Sequence, residues 1–176
     1  MTRILLTIPA LTASAMAQNW VNFADETSVR MSVSGNDPSI TVNDTQEKDY
    51  AWGDVDLDGD IDLVCVRKQP FTSTGRDTNI LFMNEGIAEG HAVNGVLIDR
   101  TADYAVASDV SGDQGFLTPT NDRDVVLADL NGDGWLDMAT APTLTDNSQK
   151  HLSHPRIYIN LGESGGVWQG FRFEDA

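Results

Sequence analysis

One cysteine, three histidines and eleven basic residues stand against 27 acidic ones in a chain of 176 amino acids. Each shortage excludes something. Cys65 has no second cysteine to pair with, so no internal disulfide can form, and its place in the apolar run LVCV marks it as a small core residue rather than a nucleophile. The formal charge of −16 argues against nucleic acid and anionic membrane surfaces as partners. His151 and His154 lie three apart with Pro155 directly behind them, a spacing that reads as loop rather than as a transition-metal pair. No apolar run is long enough to form a membrane-spanning helix. A nucleophile elbow, a glycine-rich phosphate loop and a zinc-protease helix are all missing. What remains is ordinary globular composition, 40% hydrophobic, enough to build one domain with a core.

The first seventeen residues read as a secretory signal. Arg3 supplies the positive start, residues 4–11 (ILLTIPAL) the short apolar stretch, and Ala15-Met16-Ala17 a small-residue cleavage site. The expected location is therefore secreted, extracellular or periplasmic. A secreted chain without disulfides needs another kind of cross-link, and metal is a candidate.

The segment DVDLDGDID, residues 54–62, supplies the means: five aspartates in nine positions around one glycine. Adjacent carboxylates repel by roughly 1 kcal/mol in water and several-fold more near a protein surface, so such a turn needs either a very open, solvated geometry or a cation, and the cation is the expectation here. Asp54, Asp56 and Asp58 alternate, Gly59 sits where the backbone turns sharply, Asp60 is placed to offer its carbonyl, and Asp62 closes the shell. All-oxygen donors without His or Cys select a hard ion, and several protein ligands favour Ca2+ over Mg2+. A second turn repeats the arrangement with Asp129, Asn131, Asp133, Gly134, the carbonyl of Trp135, and Asp137. Its Asn131 replaces a carboxylate with a neutral amide, so weaker calcium binding is expected there. An EF-hand would require a glutamate at the twelfth position and flanking helices. Here the twelfth residues are Cys65 and Thr140, and the flanks are apolar and strand-like.

The two turns belong to a longer repeat. Asp54 and Asp129 are 75 positions apart, and Asn84 and Asn160, in ILFMNEG and RIYINLG, are 76 apart. A third marker (FADET, LIDRT, FEDA) places Asp25, Asp99 and Asp175 at intervals of 74 and 76. Between markers, segments 124–128, 136–141 and 156–160 are short, rich in aliphatic and aromatic residues, and bounded by turn residues, which predicts strands. Only 101–108 offers even a weak helical pattern. Segments 69–76 and 142–155 read as loops. Four strands per period is the content of one propeller blade.

The motif D-x-D-x-D-G-x-x-D between strands, the N-x-G strand end and the F-x-D-x-T opening resemble the FG-GAP/VCBS repeat proteins, the propeller repeats of integrin α subunits and many secreted bacterial proteins. The bacterial branch is the closer likeness. This resemblance implies an all-β fold, a partial propeller of about two four-stranded blades, with calcium structural in each acidic turn. The implied repeats span about 23–96 and 97–172 of a mature chain 18–176, and a third begins at 173–176. Two blades cannot close a ring, so further blades are expected from additional sequence or from other copies of the chain. The implied role is binding of an extracellular protein or glycan in adhesion, with no catalytic residue assigned. The alternative is the N-terminal part of a propeller-type polysaccharide-degrading enzyme such as a lyase. Trp20, Trp52, Trp135 and Trp168 are expected to pack within blades rather than to form a sugar platform.

Overall fold

The computed structural model describes residues 24–31, 44–143, 152 and 154–175; the signal segment, Trp20 and His151 lie outside them. Two sheets, antiparallel but for one short parallel pairing, account for most of the described chain. Strands β1 (Glu47–Gly53), β2 (Asp62–Lys68), β3 (Ile80–Glu85) and β4 (Val96–Asp99) form the first as a simple meander in the order β1-β2-β3-β4. The second contains β5 (Ala107–Ser108), β6 (Asp122–Ala128), β7 (Asp137–Pro142), β8 (Arg156–Asn160) and β11 (Phe171–Glu174) in the order β5-β11-β8-β7-β6. A small hairpin of β9 (Glu163–Ser164) and β10 (Val167–Trp168) precedes β11. Helical structure is confined to the single turns α1 (Thr27–Arg30) and α2 (Thr101–Tyr104) and two 3-10 turns, Ile87–Glu89 and Gly115–Leu117. No closed barrel or ring forms among the described residues.

β2 is buried along its whole length because both its faces are covered. Leu63 and Cys65 pack with Ile80 and Phe82 on one side. Val64 packs with Leu81 and Met83 on the other, in the cluster that the two sheets share. That shared core is completed from the second sheet by Met138, Tyr158, Phe171 and Phe173, and by Phe116 and Trp168 from its connections. Burial pushes the Cys65 thiol up to about 12, as expected of a core cysteine.

Two expectations need correction. The second sheet has five strands rather than four, because the chain leaving α2 runs parallel to β11, with Arg172 opposite Ala107 and Asp109 N donating to the Phe173 carbonyl. A two-residue strand held by its neighbour's backbone leaves no period in the sequence. The tryptophans also divide: Trp168 is buried and Trp135 packs against the shared core, whereas Trp52 is 59% exposed. The 97–101 opening marker becomes the last strand of the first sheet, paired with β3, and then the start of α2.

Candidate metal centre

Both acidic turns connect two neighbouring antiparallel strands of a sheet: β1 to β2 and β6 to β7. In the first, successive carboxylates fold the backbone onto themselves. Asp54 Oδ2 accepts from Gly59 N at 3.1 Å, Asp56 Oδ1 from Asp58 N at 3.3 Å, and Asp58 Oδ1 from Asp60 N at 2.8 Å. Leu57 and Gly59 both take positive φ, 58° and 98°, and at Gly59 this conformation costs nothing. The result brings one oxygen each of Asp54, Asp56 and Asp58 within 4.8 Å of one another. Asp54 Oδ1 is buried and has no hydrogen-bond partner among the described residues.

These three could hold a metal ion. An orphaned buried carboxylate oxygen beside two further carboxylates is an all-oxygen donor set, which suits a hard divalent cation such as Ca2+. Burial, with the charge of Asp58 added, pushes Asp56 up to about 6. A cation among these oxygens would reverse that penalty.

Asp62 and Asp60 lie outside this group of three. Asp62 Oδ2 accepts from Val55 N at 3.0 Å and Oδ1 from Asn84 N at 2.9 Å, so the carboxylate ties the start of the turn to β3. Its burial drives it up to about 7 despite those two bonds. Asp60 is exposed, and its backbone N–H serves Asp58.

The second turn is built alike but satisfies itself more fully. Asp129 Oδ1 accepts from Gly132 N and Asp133 N, and Oδ2 from Gly134 N. Asn131 Oδ1 accepts from Asp133 N while its Nδ2 donates to Asp133 Oδ2 at 2.9 Å. An attractive contact thus replaces the repulsion of Asp56 and Asp58. Asp133 Oδ1 accepts from Trp135 N, and the Trp135 ring lies against Gly162, where an added Cβ would come within 3.1 Å of Nε1. Asp137 repeats Asp62, accepting from Leu130 N at 2.9 Å and Asn160 N at 2.8 Å.

The asparagines Asn84 and Asn160 were visible in the sequence as repeat markers, but not as parts of the centre. Each lies opposite its turn and donates Nδ2 to the carbonyl just before the bracing aspartate, Ile61 or Leu136. Their constant offset was the signal. Nothing in the sequence pointed to Glu85, which receives Arg100 Nε at 2.5 Å and pairs with His91 Nε2 at 2.7 Å. Burial opposes its ionisation, but these two partners hold it below the usual carboxylate range. Beside the first turn, a cavity of about 380 Å3 is bordered by Asp56, Asp58, Asn84, Glu85, Arg100 and Tyr104. His154 is exposed, away from any metal-capable cluster among the described residues.

Comparison with protein-family models, with curated proteins and with solved structures finds no match to this chain. No helix among the described residues is long and apolar enough to cross a membrane.

Proposed function

We propose that this chain is a secreted calcium-stabilised repeat module of the FG-GAP/VCBS kind, a partial propeller whose exposed loops bind an extracellular protein or glycan. The observation that carries the reading is the convergence of Asp54, Asp56 and Asp58, with one buried oxygen unpartnered among the described residues, in a turn that recurs 75 residues later. Calcium in this reading is structural. It cancels the repulsion within each turn and clamps the two strands that the turn joins. Each site stabilises the fold by about 2.7 kcal/mol when calcium is at a hundred times its dissociation constant. The second turn binds more weakly, because it has lost a carboxylate and closed on itself through Asn131.

The test is a melting curve in excess calcium and again in excess chelator, with calcorimetric titration of the metal-free protein. A clear rise in melting temperature and two sites of unequal affinity are expected. A folded sample indifferent to chelator overturns the metal reading. Binding of glycans or extracellular matrix proteins, screened with the calcium-loaded chain, tests the proposed use.

A further inference from the structure

We propose that copies of this chain associate head to tail, the outward face of β6 in one copy seating on the outward edge of β1 in the next. The repeat makes this readable, because the joint between the two sheets within one chain serves as a template. There, Ala51, Gly53 and Val55 of the first repeat meet the second. Gly53 lies so close that an added Cβ would stand 2.9 Å from Cδ1 of both Leu127 and Leu136. Val55 is fully buried, and its carbonyl accepts from Asn160 Nδ2 at 2.7 Å. Asp49 Oδ2 accepts from Val125 N at 3.1 Å across the same joint.

Shifting each partner by the 75-residue period gives the unused halves. Leu127 and Leu136 correspond to Trp52 and Ile61, and Ala51 and Val55 correspond to Val126 and Leu130. All four counterparts are exposed: Trp52 59%, Ile61 49%, Val126 55% and Leu130 49%. Their apolar character thus has an account that isolated surface residues lack. The polar marks of the joint recur too. Asp124 stands where Asp49 does, and Tyr50 N where Val125 N does. Asn84 already donates Nδ2 to the Ile61 carbonyl as Asn160 does to that of Leu136, leaving its other N–H to reach an incoming Leu130 carbonyl.

The two halves differ, so the contact is heterologous and every chain carries both. That is why a second copy is the occupant: the complement of each face is on the same sequence. A charge of −16 per chain opposes the approach, so association requires salt or bound cations to screen it. This inference rests on the repeat and the joint, not on a ligand or on calcium affinity.

Sedimentation velocity of the full chain in saturating calcium and moderate salt, across a wide micromolar range, tests it. The weight-average mass is expected to climb past that of a dimer with concentration. Trp52→Asp and Val126→Asp each spoil one half, so each variant alone stays monomeric, while an equimolar mixture forms a one-to-one dimer through the two intact halves. Circular dichroism confirms that both variants fold, and calcium titration of the same samples reads the metal sites separately. A wild-type chain that stays monomeric throughout, or a mixture of variants that does not pair, overturns the proposal.

Discussion

Asp56 and Asp62 stand six residues apart in one turn, yet the structure sets them in different surroundings. Asp62 answers two backbone N–H groups, the buried one of Val55 and the half-buried one of Asn84, and removing it leaves both without that partner. Asp62→Ala is therefore expected to destabilise even the chelated protein, by about 1–3 kcal/mol for each donor left unpaired. Asp56→Asn removes a repelling charge and, under the proposed function, a calcium ligand. Its chelated form should melt no lower than wild type, while the gain on adding calcium shrinks. Melting curves of both variants with and without calcium separate bracing from ligation; equal behaviour of the two would erase the distinction. A pH prediction follows from the same groups. Burial raises Asp56 from 3.8 to about 6 and Asp62 from 3.8 to about 7, so the folded state holds protons that the unfolded chain releases. Their contribution to stability is complete below about pH 4 and is lost as pH rises toward 7 in the metal-free protein. Calcium, which binds the ionised form, should stabilise increasingly over that same interval. Chemical denaturation of the chelated and loaded forms between pH 4 and 7 measures both slopes.

At the scale of strands and connections, the sequence was most legible where short apolar runs sit between turn residues. RIYIN at 156–160 and the segment 124–128 read as strands because each is aliphatic and short between turn residues, and both lie in strands. The acidic turns were legible because a repeated charge pattern has few physical explanations. Arg156 was not legible. A basic residue on β8 reads as solvent-facing, yet it is fully buried, with its guanidinium bonded to both oxygens of Asp113 at 3.0 Å and stacked 3.6 Å from the Phe173 ring centre. The partner arrives from a loop 43 residues earlier, a pairing no local pattern announces. This pair pins the 109–118 connection to the second sheet. Arg156→Leu is expected to cost about 3–5 kcal/mol, because the wholly buried Asp113 carboxylate loses its cation. Urea denaturation should show it. A loss below about 1 kcal/mol would mean that the pair is no stronger than one exposed to solvent.

Across the whole molecule, the dominant fact is an excess of negative charge that the fold tolerates in two concentrated places. The apolar core and the sheet ladders hold the chain together, while the first acidic turn gathers three carboxylates that could hold a cation. Under the proposed function, a divalent ion in each turn would add +4 to the formal −16 and leave −12, with the relief delivered at the clustered carboxylates. Exposed charge elsewhere is screened by salt within about 8–10 Å at physiological ionic strength. Monovalent salt should therefore do part of calcium's work. Raising sodium chloride in the presence of chelator is expected to lift the melting temperature, because repulsion among Asp54, Asp56 and Asp58 is partly screened. With calcium bound, the same salt increase should lift it less, since the strongest repulsion is already cancelled by an ion in contact with the oxygens. Two salt series followed by differential scanning calorimetry make the comparison. Parallel lines in the two series would mean that calcium does not act at the charge clusters, and a chelated protein destabilised by salt would mean that repulsion is not what limits the metal-free fold.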